Sequence, residues 1–329
     1  MTGELMNPGN PTRSNHFVQR AYLGRWANGG QALQEYKIVV PSDNYPEWRP
    51  LPIRSAGSMR DLYSVEHPDL DLDHYEKWLN EYVEQPAQEA LEKVAEERAL
   101  TRRDFEHLVR YAFAQSVRTP KDYIAYQEKA SEIVPGLLSN SLKRASRQKA
   151  SLAVAAPVAA PLDEALPLTV TREPVADGRD LVRAEFIVGT GSWLASRKRM
   201  IREYPPRFMH HRWQVLRAHE STEWFTSDHP VLRLGYFADR PHGFEAGWMQ
   251  RGADIIMPLS PRHLLHTQVG STHRNSPELS ADKTFEMQAL LAQNARRSIY
   301  ARVPIPRVRW FRERIVNAEA FEEERKLWG

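Results

Sequence analysis

The chain has 329 residues, of which 41% are hydrophobic and 26% charged, and its formal net charge is +3. This composition is typical of a globular protein with about two domains' worth of residues. The sequence contains no cysteine, which excludes a disulfide framework, thiolate catalysis and sulfur-ligated zinc, so any metal must be bound by His, Asp or Glu. We expect a cytoplasmic protein with no membrane partner, because the polar N-terminus lacks a signal-peptide pattern and no apolar run reaches the roughly 20 residues that span a bilayer.

Charged residues are distributed unevenly along the chain. Residues 61–97 are mainly acidic, whereas residues 143–149 and 302–314 are mainly basic. In the last of these stretches, arginines alternate with Trp310 and Phe311, a pattern that suits phosphate binding and base stacking. The commoner arrangement is a solvated edge on which arginine stems cover apolar surface. The charge pattern therefore leaves both a nucleic-acid contact and an ordinary protein surface open.

The front half of the chain is predicted to be mainly helical. Residues 1–15 are rich in Gly, Pro and Asn and predict a flexible lead-in. Residues 16–26 form a short apolar element, and residues 36–40 have the composition of a strand. A helix capped by Asp71 or Asp73 follows, with an apolar stripe at helical spacing.

The clearest helix begins at Thr101, because Thr101 and Asp104 resemble a capping box and apolar residues follow at helical spacing. It ends before Pro120, since the residue that precedes a proline avoids the α region. A further helix is predicted over residues 121–150, with an interruption near Pro135.

An Ala/Pro-rich stretch at residues 150–161 predicts a linker or an exposed loop. The elements predicted after it are a helix at 186–201, strands at 212–216 and 223–226 joined by 219–222, strands at 255–257 and 264–269, and a helix at 280–300. We therefore predict an α+β fold, in which a mainly helical half (residues 16–150) packs on a mixed β/α half (residues 162–329) that carries a late helix.

Five stretches place polar residues beside apolar runs, which is how a fold brings binding groups to the rim of its core. They are residues 16–23, 115–120, 224–231 and 257–261, and Asn294. No nucleophile elbow, phosphate loop or zinc-binding His-Glu-x-x-His pattern accompanies them. Their spacing alone therefore names no mechanism.

In their order along the chain, these stretches resemble the bacterial family named domain of unknown function 4238. That family has a His-aromatic-Val-Pro start, a Gln-x-x-Arg-Thr/Ser-Pro segment that closes a central helix, a Thr-Ser-Asp-Asn-Pro-Val strand and a Pro-Leu-Ser-Pro segment. The resemblance covers residues 14–305. This chain departs from the pattern at Gln19, where the family favours Pro, and at His229, where it favours Asn. The resemblance implies no particular reaction.

Three residues of the first two stretches are candidate site residues. His16 could act as a general base or bind a metal, or it could be a packed histidine that holds the N-terminal segment. Gln115 and Arg118 lie three apart on one helix face and could bind a phosphate or carboxylate, since guanidinium offers a bidentate fork. Alternatively, Arg118 caps the carbonyls of its own helix and pairs with an acidic neighbour such as Glu84.

The later stretches supply the other candidates. Asp228 ends an apolar strand, a position at which sheets present catalytic carboxylates, so it is a candidate metal ligand or general base. A divalent metal ion bound by Asp228 and His229 is the corresponding cofactor hypothesis. The alternative is a turn in which Ser227 and Asp228 bond the backbone two residues further on. Asn294 completes the candidate set.

Convergence of His16, Gln115, Arg118, Asp228 and Asn294 on one pocket would indicate an enzyme that acts on a phosphoester, such as a nuclease in a bacterial defence or toxin setting. Arg118 would bind the phosphate, Asp228 would bind the metal or take a proton, and His16 would be the acid or base. The expected partner is nucleic acid or a phosphorylated small molecule. The alternative is a non-catalytic interaction protein, in which these residues only tie the two halves together and the basic C-terminal stretch is the contact surface.

Overall fold

The computed structural model describes residues 14–63, 74–147, 168–174, 180–186, 188–237, 242–273 and 275–328. The predicted linker at residues 150–161 and the predicted caps Asp71 and Asp73 lie outside these ranges. The described chain combines helices with mainly antiparallel sheets, which confirms the predicted α+β class. None of the helices in these ranges is both long enough and apolar enough to cross a bilayer.

The front half surrounds a helical body with short strands. Its strands are β1 (Ser14–His16), β2 (Ala32–Lys37), β3 (Val39–Val40), β4 (Arg49–Pro52) and β5 (Ser58–Arg60). Its helices are α1 (Arg20–Leu23) with the 3₁₀ turn Gly24–Trp26, the 3₁₀ turn Ile53–Ser55, α2 (His74–Leu79), the π-helical segment Asn80–Glu84, α3 (Gln85–Ala95), α4 (Arg102–Val117) and α5 (Pro120–Arg147). The predicted lead-in extends too far, because Asn15 lies in β1, is buried and accepts a hydrogen bond from the Tyr63 amide at 3.1 Å.

The back half alternates strands and helices. Its strands are β6 (Leu168–Pro174), β7 (Asp180–Phe186), β8 (Gln214–Arg217), β9 (Thr226–Ser227), β10 (Leu232–Leu234), β11 (Asp254–Pro258), β12 (His263–Gln268), β13 (Ser298–Ala301) and β14 (Ile315–Val316). Its helices are α6 (Thr190–Glu203), α7 (Pro205–Phe208), α8 (Ala281–Asn294), α9 (Val308–Phe311) and α10 (Ala318–Trp328).

Two four-stranded antiparallel sheets form the centre of the fold. One has the order β4-β2-β13-β9 and the other the order β10-β11-β12-β8. In the first sheet, Tyr300 of β13 lies opposite Glu35 of β2 and Thr226 of β9. Because β13 pairs with a front-half strand on one side and a back-half strand on the other, the two halves share this sheet.

Helices pack on both faces of the sheets. Because side chains alternate along each strand, successive residues of one strand contact different helices. On β11, Ile255 and Met257 join the hydrophobic cluster formed with α3, α4 and α6, whereas Ile256 joins the cluster formed with α8. The first cluster includes buried residues from Phe17 to Tyr300 and therefore draws on both halves of the chain.

The predicted central helix and its start are confirmed in α4. The Asp104 amide donates to Oγ1 of Thr101 at 3.2 Å, and the Thr101 amide donates to the Asp104 carboxylate at 2.7 Å, which completes a capping box. The helix ends at Val117, and α5 begins at Pro120. This boundary fixes Gln115 and Arg118 at the buried C-terminal end of α4.

Two predicted helices have different boundaries in the structure. The helix predicted over 280–300 ends at Asn294, and residues 298–301 form β13, because Ile299 and Ala301 pack on one face of the sheet and Tyr300 on the other. The helix predicted from residue 186 begins at Thr190, since Phe186 still belongs to β7.

Two further predictions differ from the structure. The strands predicted at 212–216 and 223–226 lie at 214–217 and 226–227, and they belong to different sheets because β8 pairs with β12 while β9 pairs with β13. The helix α5 also continues through Pro135 without a break. Proline removes the hydrogen bond to the Ser131 carbonyl, but residues 131–133 are exposed, so water can satisfy that carbonyl.

Candidate functional site

Side-chain hydrogen bonds to the backbone join the motif stretches inside the core. The Tyr22 hydroxyl donates to the Pro258 carbonyl at 2.7 Å and also contacts Oγ1 of Thr226 at 2.7 Å. The Trp26 indole N–H donates to the Trp224 carbonyl at 2.8 Å. The stretches at the start of the chain and around residues 224–231 and 257–261 therefore meet in three dimensions.

Arg118 lies at the C-terminal end of α4 and is only 1% exposed. One terminal nitrogen of its guanidinium donates to the Glu84 carboxylate at 2.6 Å, and the other donates to Oε1 of Gln115. Although burial opposes its charge, the Glu84 carboxylate is the main cause of a raised Arg118 pKa. The pairing with Glu84 that the sequence offered as an alternative is therefore the arrangement found.

Gln115 holds this arginine to the N-terminal stretch. Its side chain is fully buried, and its amide N–H donates to the Phe17 carbonyl at 3.1 Å while Oε1 accepts from Arg118. A second bond also joins α4 to this stretch, since the Tyr111 hydroxyl donates to Oε1 of Gln19 at 2.9 Å. Gln115 thus positions Arg118 and does not itself face a ligand.

A cavity of about 300 Å³ lies beside Arg118, and we call it the His16–Arg118 cavity. Its polar lining includes His16, Gln19, Arg20, Tyr63, Glu76, Asn80, Glu84 and Arg118. The first stretch supplies one wall, and the segment between α2 and α3 supplies the opposite wall. A volume of this size is at the small end of the range for ligand sites.

The opposite wall is π-helical. The segment Asn80–Glu84 carries an i→i+5 pattern between two α-helices, and its first and last residues both line the cavity. Short π-helical insertions are uncommon and occur frequently at functional sites. The helix geometry thus presents Asn80 and Glu84 to the same space that His16 and Arg118 face.

His16 is half-buried at the edge of this cavity. Its Nε2 lies 3.2 Å from the Arg54 carbonyl, which can only accept, so Nε2 carries the proton and Nδ1 keeps its lone pair. Burial, followed by the positive charge of Arg20, lowers the pKa of His16 to about 4, and Arg118 contributes in the same direction. At neutral pH this imidazole is therefore uncharged.

The Asp228 carboxylate bonds backbone amide groups. Its Oδ1 accepts hydrogen bonds from the amides of Arg296, Arg297 and Ser298 at 3.0, 3.1 and 3.3 Å. These bonds hold the turn between α8 and β13. The predicted turn is formed by Ser227, whose Oγ accepts from the His229 amide at 3.1 Å.

Asn294 holds the same region from the end of α8. Its amide nitrogen donates to the carbonyls of His229 and Val231 at 2.9 and 3.2 Å. His229 is 9% exposed, and burial lowers its pKa to about 4 although the nearby Asp228 carboxylate opposes the shift. These three residues stabilise the connection between β9 and β10.

The described residues supply no third ligand for a divalent ion at Asp228 and His229. Oδ1 of Asp228 is already surrounded by three backbone N–H groups. Across the described ranges, no group of three or more His, Asp or Glu side chains is arranged to hold a metal ion. We therefore derive no chemical step through a metal at this pair.

The structure divides the predicted site residues into two places. His16 and Arg118 line one cavity and Gln115 lies behind them, whereas Asp228 and Asn294 are outside its lining. Sequence reasoning missed Arg20 as a cavity residue, although it lies inside the first motif stretch. It also missed Asn80, for which the sequence holds no signal because π-helical geometry leaves no clear residue pattern.

Comparison with known proteins gives a family but no reaction. No curated protein and no solved structure matches the chain significantly. A family model described as "Protein of unknown function (DUF4238)" matches residues 14–303, which is most of the chain. The chain belongs to this family.

Proposed function

We propose that the protein hydrolyses phosphoester bonds in the His16–Arg118 cavity. The observation that carries this proposal is the cavity lining, where a neutral imidazole faces the same space as an exposed guanidinium and a buried Arg–Glu pair. Neutral histidine and arginine are the groups that phosphoester hydrolysis without a metal needs, one to take a proton and one to bind the phosphate.

Arg20 is the phosphate-binding group in this proposal. It is exposed, lines the cavity, and forms no hydrogen bond or ion pair with the residues that the structure describes. Its planar fork can bind two phosphate oxygens at once. Arg118 cannot take this role, because both of its terminal nitrogens are already bonded to Glu84 and Gln115.

His16 is the proton acceptor. Its Nδ1 lone pair takes a proton from water as the water oxygen forms a bond to phosphorus and the ester P–O bond breaks. A bound phosphate would neutralise the positive charge of Arg20 and so raise the His16 pKa from about 4 towards its ordinary value. The leaving group departs as an alkoxide or phenoxide, because the proposal assigns no residue to protonate it. The proposal therefore favours esters with good leaving groups.

The test is hydrolysis of p-nitrophenyl phosphate, bis(p-nitrophenyl) phosphate and labelled single-stranded DNA, with EDTA in one arm and magnesium or manganese in another. We expect turnover of at least one ester by the wild type. His16→Asn should lower kcat/KM by about 10²-fold or more, which is a usual effect of losing a general base. Arg20→Gln should lower kcat/KM mainly through a higher KM.

The matched control is Arg102→Gln on the exposed start of α4, which should leave both parameters unchanged. The pKa of His16 is about 4, so its imidazole is neutral above that pH. The kcat/KM of the wild type should therefore fall only as the pH drops towards 4. A wild type that is inert on all three substrates would refute the proposal. So would equal activity of His16→Asn and the wild type.

A specific observation favours a non-catalytic interaction protein as the second candidate. Gln115, Asp228 and Asn294 each bond to backbone groups within their own half of the chain, which is a structural role. The side chains of Tyr22 and Trp26 bond to the backbone of the other half and so tie the two halves together. The basic C-terminal stretch would then be the contact surface, and its Trp310 is largely exposed. An inert wild type together with strongly destabilised Arg118 and Asp228 variants would support this candidate.

A further inference from the structure

Three cations surround one carboxylate where α5, β10 and the end of α8 approach each other. The ammonium of Lys121 bonds the Glu245 carboxylate, and the guanidinium of Arg296 lies 3.8 Å from the same oxygen. Arg233 of β10 forms a backbone bridge with Glu245, and its charge helps to lower the pKa of that carboxyl. We call Lys121, Arg233, Arg296 and Glu245 the cationic cluster, which has a formal charge of +2.

Arg233 is the unusual member of the cluster. Its side chain is half-buried, burial lowers its pKa, and it forms no hydrogen bond or ion pair with any described residue. The second carboxylate near it, on Asp122, is already bonded to Arg197 and to the Trp193 indole at 2.8 Å. A partly buried cation without a bonded anion carries a desolvation cost, which an anionic ligand would offset.

A buried imidazole lies next to the cluster. Lys121 and Arg296 both contribute to the lowered pKa of His229, so its ring is close to their charges. Its Nδ1 is buried and has no hydrogen-bond partner among the described residues. The Asp228 carboxylate is also near, but it is held by three backbone N–H groups and cannot pair with the cations as freely.

Glu245 is free to leave the cluster, because its side chain is 62% exposed. We propose that Lys121, Arg233 and Arg296 bind a phosphate group, and that the Glu245 carboxylate occupies this position when the phosphate is absent. A dianionic phosphate neutralises more of the positive charge of the three cations than a single carboxylate does. Its several oxygens can accept hydrogen bonds from all three. This site is separate from the His16–Arg118 cavity and does not depend on the function proposed there.

The test measures inorganic phosphate binding by calorimetry and by the shift in melting temperature, against sodium chloride at equal ionic strength. All proteins carry Arg20→Gln, so that the other cavity does not contribute. Glu245→Gln removes the competing carboxylate and should bind phosphate more tightly by roughly two- to fivefold, the size of one exposed charge interaction. Arg233→Met should raise the melting temperature in phosphate-free buffer and abolish the rise that phosphate causes.

The matched control is Arg302→Gln, which removes an exposed arginine paired with Glu223 and should leave phosphate binding unchanged. A second arm replaces phosphate with glycerol phosphate or a mononucleotide, and tighter binding of either identifies a phosphorylated molecule as the ligand. Equal stabilisation by phosphate and chloride would overturn the proposal. Weaker phosphate binding by Glu245→Gln, or a lower melting temperature of Arg233→Met without phosphate, would also overturn it.

Discussion

Replacing Arg118 by Lys is expected to lower the free energy of unfolding by about 2–4 kcal/mol, because a buried charge then loses part of its pairing. The guanidinium bonds Glu84 and Gln115 with two different nitrogens, whereas a single ammonium cannot reproduce both bonds. Urea denaturation followed by circular dichroism measures this change.

The control for this substitution lies on the same helix. Arg102→Lys changes a side chain that is 83% exposed and should alter the free energy of unfolding by less than about 0.5 kcal/mol.

A second comparison isolates the contribution of the Arg118–Glu84 ion pair to stability. Arg118→Met leaves Glu84 unpaired, so the double variant Arg118→Met with Glu84→Met should be more stable than Arg118→Met alone. Equal stability of Arg118→Lys and wild type would contradict a structural role for the bonds from Arg118 to Glu84 and Gln115.

Asp228→Ala is expected to cost about 3 kcal/mol of unfolding free energy, because three backbone N–H groups lose the oxygen that they share. Ser298 is buried at the start of β13, so water cannot easily replace that oxygen for its amide. Since β13 lies between β2 and β9, losing these hydrogen bonds should also destabilise the pairing of β13 in that sheet. Thermal and urea unfolding both report it.

Asp228→Asn is the informative comparison, because the amide keeps one oxygen that can accept the same hydrogen bonds. It should cost less than Asp228→Ala, by about 1 kcal/mol or more. Asp282→Ala, at the exposed start of α8, should stay within about 0.5 kcal/mol of wild type. If Asp228→Ala is as stable as wild type and only loses activity, Asp228 is a reacting group and not a structural one.

The sequence predicted the features that depend on short-range chemistry. The capping box at Thr101, the end of α4 before Pro120 and the turn at Ser227 each follow from neighbouring residues. The Arg118–Glu84 pair was also open to prediction, because a helix end next to an acidic stretch limits the available partners.

The features that depend on distant partners were not predictable in the same way. Residues 295–301 continue an apolar pattern that fits a helix, and only pairing with β2 and β9 makes them a strand. Likewise, no local pattern shows that Asp228 would bond amides about 70 residues later, nor that Arg233 would lie half-buried near Glu245.

The same limit applies to the candidate site. His16 and Arg118 were predicted to share a pocket, and both line one cavity. Asp228 and Asn294 were placed with them because all four stand in motif stretches, but motif membership does not distinguish a side chain that faces a ligand from one that bonds backbone. Arg20 and Asn80 complete the cavity for reasons that only the three-dimensional structure supplies.

The most direct test of the central claim, that the His16–Arg118 cavity binds a phosphate group, is a crystal structure with tungstate, a tetrahedral oxyanion that scatters X-rays anomalously. We predict an anomalous peak in this cavity, with oxyanion oxygens about 3 Å from the Arg20 guanidinium. A second peak between Arg233 and Arg296 would support the further inference independently. An empty His16–Arg118 cavity at a tungstate concentration that fills other sites would contradict the account.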